Sequence, residues 1–192
     1  MKWIVVAILA FIAAYTYLTL RFRRPGQAYE PYAEARSRAT VERLLAAGYR
    51  RVTLTAVRPT EPLRLSAPAR ISTSLGGLPA GLATAVVAPP LLPAGLSHVT
   101  AAREAIAAEP YSIDFTAALP SEQEELLDAQ VYVRKDELVF VPNFERVAGG
   151  LLVRSPETAV RLTVPAGVLE TGHYRVLLVA THESRTWELV VK

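Results

Sequence analysis

The sequence predicts one N-terminal transmembrane helix followed by a mainly-β domain with short helical inserts, and three observations lead to this fold class. Residues 3–20 contain no charged side chain. Beyond residue 50, many short segments alternate apolar and polar residues, which is typical of half-buried strands. The 14 prolines and 10 glycines supply turns between such segments. A chain of 192 residues is long enough for an anchor and one domain with a buried core.

The pattern divides the chain into a transmembrane anchor (1–20), a basic linker with an amphipathic helix (21–50) and a β-sandwich domain (51–192). An alternative division splits the last part into two subdomains, 51–119 and 129–192. Residues 21–51 hold eight arginines against three glutamates, whereas residues 52–192 hold 12 basic and 15 acidic side chains. The positive charge therefore adjoins the predicted membrane, where anionic lipid headgroups lie. A nucleic-acid partner is not expected, because its binding domain would itself be basic.

The anchor is predicted from an 18-residue uncharged run, which as a helix spans about 27 Å. Aromatic residues mark both predicted interfaces, and small residues on one face would let another helix approach closely. The alternative for that face is that alanine is simply common in this chain. A cleaved signal peptide is disfavoured, because the run is long and the candidate cleavage site precedes a bulky tyrosine. The predicted anchor and interface residues are Trp3, Ala7, Ala10, Ala14, Tyr15, Tyr17, Arg21, Arg23 and Arg24.

The orientation follows from the basic residues on each side of the predicted span. Five arginines lie within twenty residues of its C-terminal end, against Lys2 on the other side. The positive-inside rule then places the large domain in the cytoplasm. The alternative is a signal anchor that exports the domain to the periplasm. Only 3 of the 21 basic residues are lysines, which indicates a GC-rich bacterial genome. Together with the predicted anchor, this predicts a single-pass protein of the bacterial inner membrane.

The segments predicted beyond the anchor are mostly strands. A helix over 32–47 should end at Gly48, and it would pack on its own domain or lie along the membrane surface. A hairpin over 130–142 should turn near Lys135 and Asp136. Helical inserts are expected over 97–108 and after Ser121, where the letters SEQE form a capping box with Glu124. The other predicted strands cover 51–57, 63–66, 70–75, 111–119, 159–165, 173–181 and 186–192.

Residues 76–96 form a loop that is apolar, uncharged and interrupted by proline and glycine. Such a loop would be an exposed apolar patch in water, so it should be covered by its own domain, by a partner protein or by the membrane surface. It is the candidate partner-binding segment. The residues expected to make the contact are Leu78, Leu82, Val86, Val87, Leu91 and Leu92.

Near the C-terminus, Leu169, Gly172 and Tyr174 have the spacing of the tyrosine corner and resemble that motif of immunoglobulin-like sandwiches. The resemblance implies that the tyrosine hydroxyl bonds back to the backbone at the start of the penultimate strand. It implies an immunoglobulin-like β-sandwich, although the cysteine pair and core tryptophan of antibody domains are absent. It implies nothing about function.

The sequence shows no strong catalytic motif. The chain has no cysteine, and its three histidines, His98, His173 and His182, lack metal-ligand spacing. A nucleophile elbow of the Gly-x-Ser-x-Gly type is absent, and the glycine-rich letters SLGGLPAG lack the ending of a phosphate-binding loop. We therefore expect no catalytic residue, no metal and no cofactor.

These features favour a non-catalytic, single-span accessory subunit that stabilises a larger membrane protein complex, with lipids and other membrane subunits as partners. The layout is similar to that of the H subunit of purple bacterial photosynthetic reaction centres, which implies an energy-converting complex, photosynthetic or respiratory. The alternative is a periplasmic immunoglobulin-like module for envelope assembly or adhesion. A third hypothesis is a small hydrolase or lipid-binding protein that uses the apolar loop as a lid.

Overall fold

The computed structural model describes residues 2–22, 33–65, 67–121, 124–146 and 155–192. Some side chains inside its helices and strands, including those of Ala7 and Ala10, lie outside the description, as do the predicted interface residues Arg23 and Arg24. The chain forms two compact units, residues 1–35 and residues 36–192.

The first unit contains helix α1 (Lys2–Phe22), whose 21 residues include the whole predicted anchor run. The predicted helix is therefore present. Among the residues that the structure describes, no helix is both long and apolar enough to count as a membrane span. The transmembrane role predicted for this helix thus has no support from that finding.

Helix α2 (Ala33–Ala46) ends where the sequence predicts, at a left-handed glycine. Gly48 has a φ of +77°, a conformation that glycine adopts without steric cost. Its N–H donates to the Leu45 carbonyl at 3.0 Å, and the Tyr49 N–H donates to the Leu44 carbonyl at 2.8 Å. This pair of bonds is a Schellman motif, and buried Tyr49 and Leu44 supply its apolar contact. The cap thus aims the chain from the helix into the first strand.

Over the described residues, ten strands form one curled sheet, and the domain is mainly β, consistent with a sandwich. The path through the sheet is β2-β10-β9-β7-β6-β1-β8-β5-β3, with β4 beside β10. The strands are β1 (Arg50–Val57), β2 (Ser72–Leu75), β3 (Gly95–Ala101), β4 (Glu104–Ala105), β5 (Tyr111–Ala118), β6 (Glu124–Arg134), β7 (Glu137–Arg146), β8 (Glu157–Val164), β9 (Gly172–Leu178) and β10 (Glu183–Val191).

Strand β1 joins the two layers of the curled sheet. Its first half, to Leu54, pairs with β6, and its second half, from Thr55, pairs with β8. The main core lies between the layers and includes Phe115, Phe140 and Trp187. Because β8 lies between β1 and β5, strands of the two possible subdomains interleave in one sheet. Strands β7 and β9 are parallel, which departs from the antiparallel sheets of immunoglobulin domains.

The hairpin and the C-terminal strands agree with the prediction. Strands β6 and β7 are joined by Lys135 and Asp136, and Lys135 has a positive φ of 51°. Along β5, Tyr111, Ile113 and Phe115 are buried, as the alternation predicts. One short helix, α3 (Ala80–Ala85), lies inside the apolar loop.

The two helical inserts predicted from local pattern are wrong. Residues 97–108 supply β3 and β4, because β3 pairs along β5 and the Val190 N–H of β10 donates to the Arg103 carbonyl. The segment after Ser121 enters β6, where Glu124 pairs with Arg146 of β7. In both segments, ladder hydrogen bonds to distant strands override the helical preference of the local residues.

Candidate functional site

The tyrosine-corner residues come together as the resemblance implies. The Tyr174 hydroxyl donates to the Glu170 carbonyl at 3.0 Å, just before β9 begins. Leu169 and Tyr174 are both buried in the main core. Gly172 starts β9 and pairs with Val191 of β10. The motif therefore fixes the entry into the last hairpin, which is a structural role.

Helix α1 presents its large apolar side chains to the outside. Their exposed fractions run from 51% to 86%, and they belong to Trp3, Ile4, Ile8, Phe11, Ile12, Tyr15, Tyr17 and Leu18. At the C-terminal end, Arg21 donates to the Tyr17 hydroxyl at 2.9 Å and lies 6.0 Å from the centre of its ring. Ala14 is exposed as well. So large an apolar surface on one helix is uncommon for a protein that is surrounded only by water.

The apolar loop is covered largely by its own domain. Leu82 and Ala85 of α3 are buried against the outer face of the sheet, in a cluster with Tyr132, Val139 and Val141. Three more of the predicted partner contacts, Leu78, Val86 and Leu92, pack against that cluster. Of the remaining two, Val87 is half-buried, and Leu91 is 42% exposed. The sequence leaves open whether the domain, a partner protein or the membrane surface covers this loop. In the structure, the domain itself covers most of it.

Next to α3 of the apolar loop, Tyr49 and Arg134 form a stacked pair. The Arg134 guanidinium lies 4.5 Å from the centre of the Tyr49 ring and binds the Glu137 carboxylate at 2.7 Å. Tyr132 meets Tyr49 edge-on at 6.5 Å between ring centres. The Tyr49 hydroxyl is buried and, among the described residues, has no hydrogen-bond partner. Burial raises the pKa of Tyr49, an effect that the Arg134 charge partly offsets.

After edge strand β2, residues 76–79 lead across the outer face of the sheet towards α3 and leave a cleft beside them. Gly76 allows the chain to lie directly against the residues before β10. Any side chain at this position would clash there, because its Cβ would lie 2.3 Å from the Thr181 carbonyl oxygen. Its N–H donates to the His182 carbonyl at 3.1 Å, and the Gly77 N–H donates to the Ala180 carbonyl at 2.8 Å. These two backbone hydrogen bonds therefore hold the segment close to the sheet.

The cleft has a volume of about 430 Å³, within the ~300–1,000 Å³ range of small-molecule sites. Its apolar lining comes from Leu78, Val139 and Leu177, and Leu75 borders it at the end of β2. Its polar lining includes Arg175, Glu137, Ser74 and Thr186. We call this space the outer-face cleft.

A second depression of about 300 Å³ adjoins the outer-face cleft. It is lined by Pro68, Arg70, Arg103 and Glu188. Glu188 is the direct cross-strand partner of Arg175, so the two depressions meet at this pair. Strand alternation in the letters HYRVLL indicates that Arg175 points away from the core. The sequence did not indicate the cleft, because strands and loops distant in sequence form it.

The described acidic and histidine side chains do not form a metal site. In the part of the chain that the structure describes, no group of three His, Cys, Asp or Glu side chains could hold a metal ion. His98 lies in a bulge of β3 with a φ of 49°, and His173 faces out from β9.

No protein-family model matches the chain, and no curated protein or solved structure matches it significantly. The geometry of the described residues is therefore the basis for the function proposed below.

Proposed function

We propose that the chain is a non-catalytic accessory subunit of a larger membrane protein complex, attached through helix α1. The observation that carries the proposal is the exposure of the large apolar side chains along α1. Burial of such surface in lipid or against partner helices releases about 25 cal/mol for each Å² removed from water.

The charge distribution and α2 support the same proposal. No charged residue lies between Lys2 and Arg21, while arginines concentrate directly after the helix. On α2, Val41 is 39% and Leu45 is 67% exposed, and their spacing of four residues places them on one outward face. That face gives a partner subunit or a lipid surface a second place to contact. The inner membrane of a bacterium is the proposed location, with the domain on the cytoplasmic side.

The attachment is tested by separating membranes from cells that produce the full chain and washing them at high pH. We expect the protein to stay with the membranes. The double variant Ile8→Arg and Ile12→Arg should be released, because a charge at the centre of a span costs roughly 2.5–3.5 kcal/mol. Ile106, 52% exposed in the β domain, supplies the control, and Ile106→Arg should be retained. Release of the wild-type chain would contradict the proposal.

Assembly into a complex is tested by purifying the full chain in mild detergent through a tag after Lys192. Stoichiometric membrane proteins in the eluate are expected, and pigment or haem absorbance would identify an energy-converting complex. A monomer that is free of partners would contradict the accessory role.

The alternative is an immunoglobulin-like envelope-assembly or adhesion module exported to the periplasm. The hydrogen bond from Tyr174 to Glu170 supports the immunoglobulin-like fold of this alternative, since such sandwiches share the corner, and it leaves the function of the fold open. A reporter that is active only outside the cytoplasm, fused after Lys192, distinguishes the two. Activity of that reporter would support the exported module and contradict a cytoplasmic domain.

A further inference from the structure

We propose that the outer-face cleft binds an anionic single-chain amphiphile, with its alkyl chain against the apolar lining and its carboxylate on Arg175. This inference does not depend on the attachment of α1. It rests on the pairing of an apolar groove with an excess of unpaired positive charge.

The apolar part of the cleft suits an alkyl chain. Leu177 and Val139 form the floor on β9 and β7. Leu78 closes the side of the cleft next to α3. An alkyl chain laid on this floor beside Leu78 would shield apolar surface from water, which favours binding.

The polar part of the cleft suits an anion. Arg175 lines the cleft, and Arg70 and Arg103 line the adjoining depression. Within the described part of the chain, none of these three guanidinium groups has a hydrogen-bond or salt-bridge partner. Of the two carboxylates in the lining, Glu137 is already bound by Arg134 at 2.7 Å, which leaves Glu188 against three arginines.

Charge complementarity therefore favours a negatively charged head over a neutral or positive one. A guanidinium can hold a carboxylate through two parallel hydrogen bonds, which is the strongest contact that the lining can offer. The head would lie near Arg175, where the two depressions meet. Arg70 and Arg103 add favourable charge from the adjoining depression.

The test uses a fatty acid that carries a photoreactive diazirine in its alkyl chain, added to whole lysates of cells that produce the full chain, so that the probe reaches the protein whether or not it is attached to membranes. After irradiation, labelled peptides are mapped by mass spectrometry. We expect labelling of residues 74–79 and of the outer face of β9. The methyl ester of the same fatty acid serves as the matched neutral probe and should label this region about tenfold less, because a charge-assisted hydrogen bond is lost.

Two variants leave the core unchanged. Arg175→Gln should lower labelling of the cleft about tenfold at a subsaturating probe concentration. Ser74→Asp should lower it too, because Ser74 lines the cleft and the new charge repels the carboxylate. Arg64→Gln is the control, since Arg64 is an exposed arginine outside both depressions.

Equal labelling by acid and ester, or labelling that survives Arg175→Gln, would overturn the inference. Labelling of α1 without the cleft would also overturn it while agreeing with the proposed attachment. Labelling of the cleft without α1 would support the inference and count against the attachment.

Discussion

Arg161 of β8 binds Asp114 of β5 through two hydrogen bonds, from Nε to Oδ1 at 2.6 Å and from an Nη to Oδ2 at 2.7 Å. The two residues are direct cross-strand partners. Oδ2 of Asp114 also accepts from the Leu63 N–H at 3.2 Å, and Arg161 donates to the Glu61 carbonyl at 2.7 Å. The pair therefore ties the connection after β1 to the sheet.

Replacing Asp114 should lower the free energy of unfolding substantially. Asp114→Ala leaves the Arg161 charge without its partner and the Leu63 N–H without an acceptor. We expect a loss of roughly 2–3 kcal/mol, below the 3–5 kcal/mol of a fully buried pair because water reaches Arg161. Urea unfolding measures the loss, and faster hydrogen exchange at the Leu63 amide locates it. Glu137→Ala, in the more exposed pair with Arg134, should cost no more than about 1 kcal/mol. Equal losses would refute this account.

Tyr111 should make the domain sensitive to alkaline pH. Burial raises the pKa of Tyr111, against a smaller opposing effect of the Trp187 N–H, which donates to its hydroxyl at 3.1 Å. In the unfolded chain the hydroxyl ionises near pH 10. The stability from this tyrosine is thus complete below pH ~10 and is lost as the pH rises towards the folded pKa.

The free energy of unfolding should therefore fall above pH ~10, by about 1.4 kcal/mol per pH unit for this group. Tyr111→Phe should remove that contribution from the alkaline slope. At neutral pH the same variant should be less stable by roughly 1–3 kcal/mol, because Trp187 loses its acceptor. Urea unfolding from pH 7 to 11, followed by Trp187 fluorescence in a Trp3→Phe background, measures both. An unchanged slope would show that another group governs the decline.

Two buried tyrosine hydroxyls should respond oppositely to removal. Tyr174→Phe deletes the bond to the Glu170 carbonyl and should cost about 1 kcal/mol. Tyr49→Phe deletes a buried hydroxyl that has no hydrogen-bond partner among the described residues, so stability should stay the same or rise by up to ~1 kcal/mol. Thermal unfolding of the two variants gives the comparison. A loss in Tyr49→Phe as large as that in Tyr174→Phe would mean that the Tyr49 hydroxyl is satisfied.

Leu82 should behave as a core residue of the β domain. Its side chain is fully buried in the cluster on the outer face. Leu82→Ala should cost roughly 2–4 kcal/mol through lost burial and the cavity left behind. Leu45→Ala, on an exposed leucine of α2, should stay within about 0.5 kcal/mol. If Leu82→Ala left the isolated chain's stability unchanged and weakened only a complex, Leu82 would be a partner contact.

The features predicted correctly from the sequence are those that neighbouring residues determine. Gly48 ends α2 because one residue supplies the left-handed turn, and Lys135 and Asp136 turn the hairpin between two alternating segments. The spacing of Leu169, Gly172 and Tyr174 indicated the corner whose hydrogen bond the structure contains.

The features that the sequence did not reveal depend on residues far apart in the chain. Residues 97–108 have a helical composition, yet β3 and β4 form because their hydrogen bonds are completed by β5 and β10. The apolar loop could have met three kinds of cover, and Leu82 packs on Val139 and Tyr132 of its own domain.

The sequence by itself determined an uncharged N-terminal helix, a basic stretch after it and a domain made mainly of strands, because hydropathy, charge and alternation are local properties. Only the tertiary structure decided the strand order, the ion pair of Asp114 with Arg161 and the outer-face cleft around Arg175. These depend on which distant strands share hydrogen bonds, and a local sequence pattern does not determine that pairing.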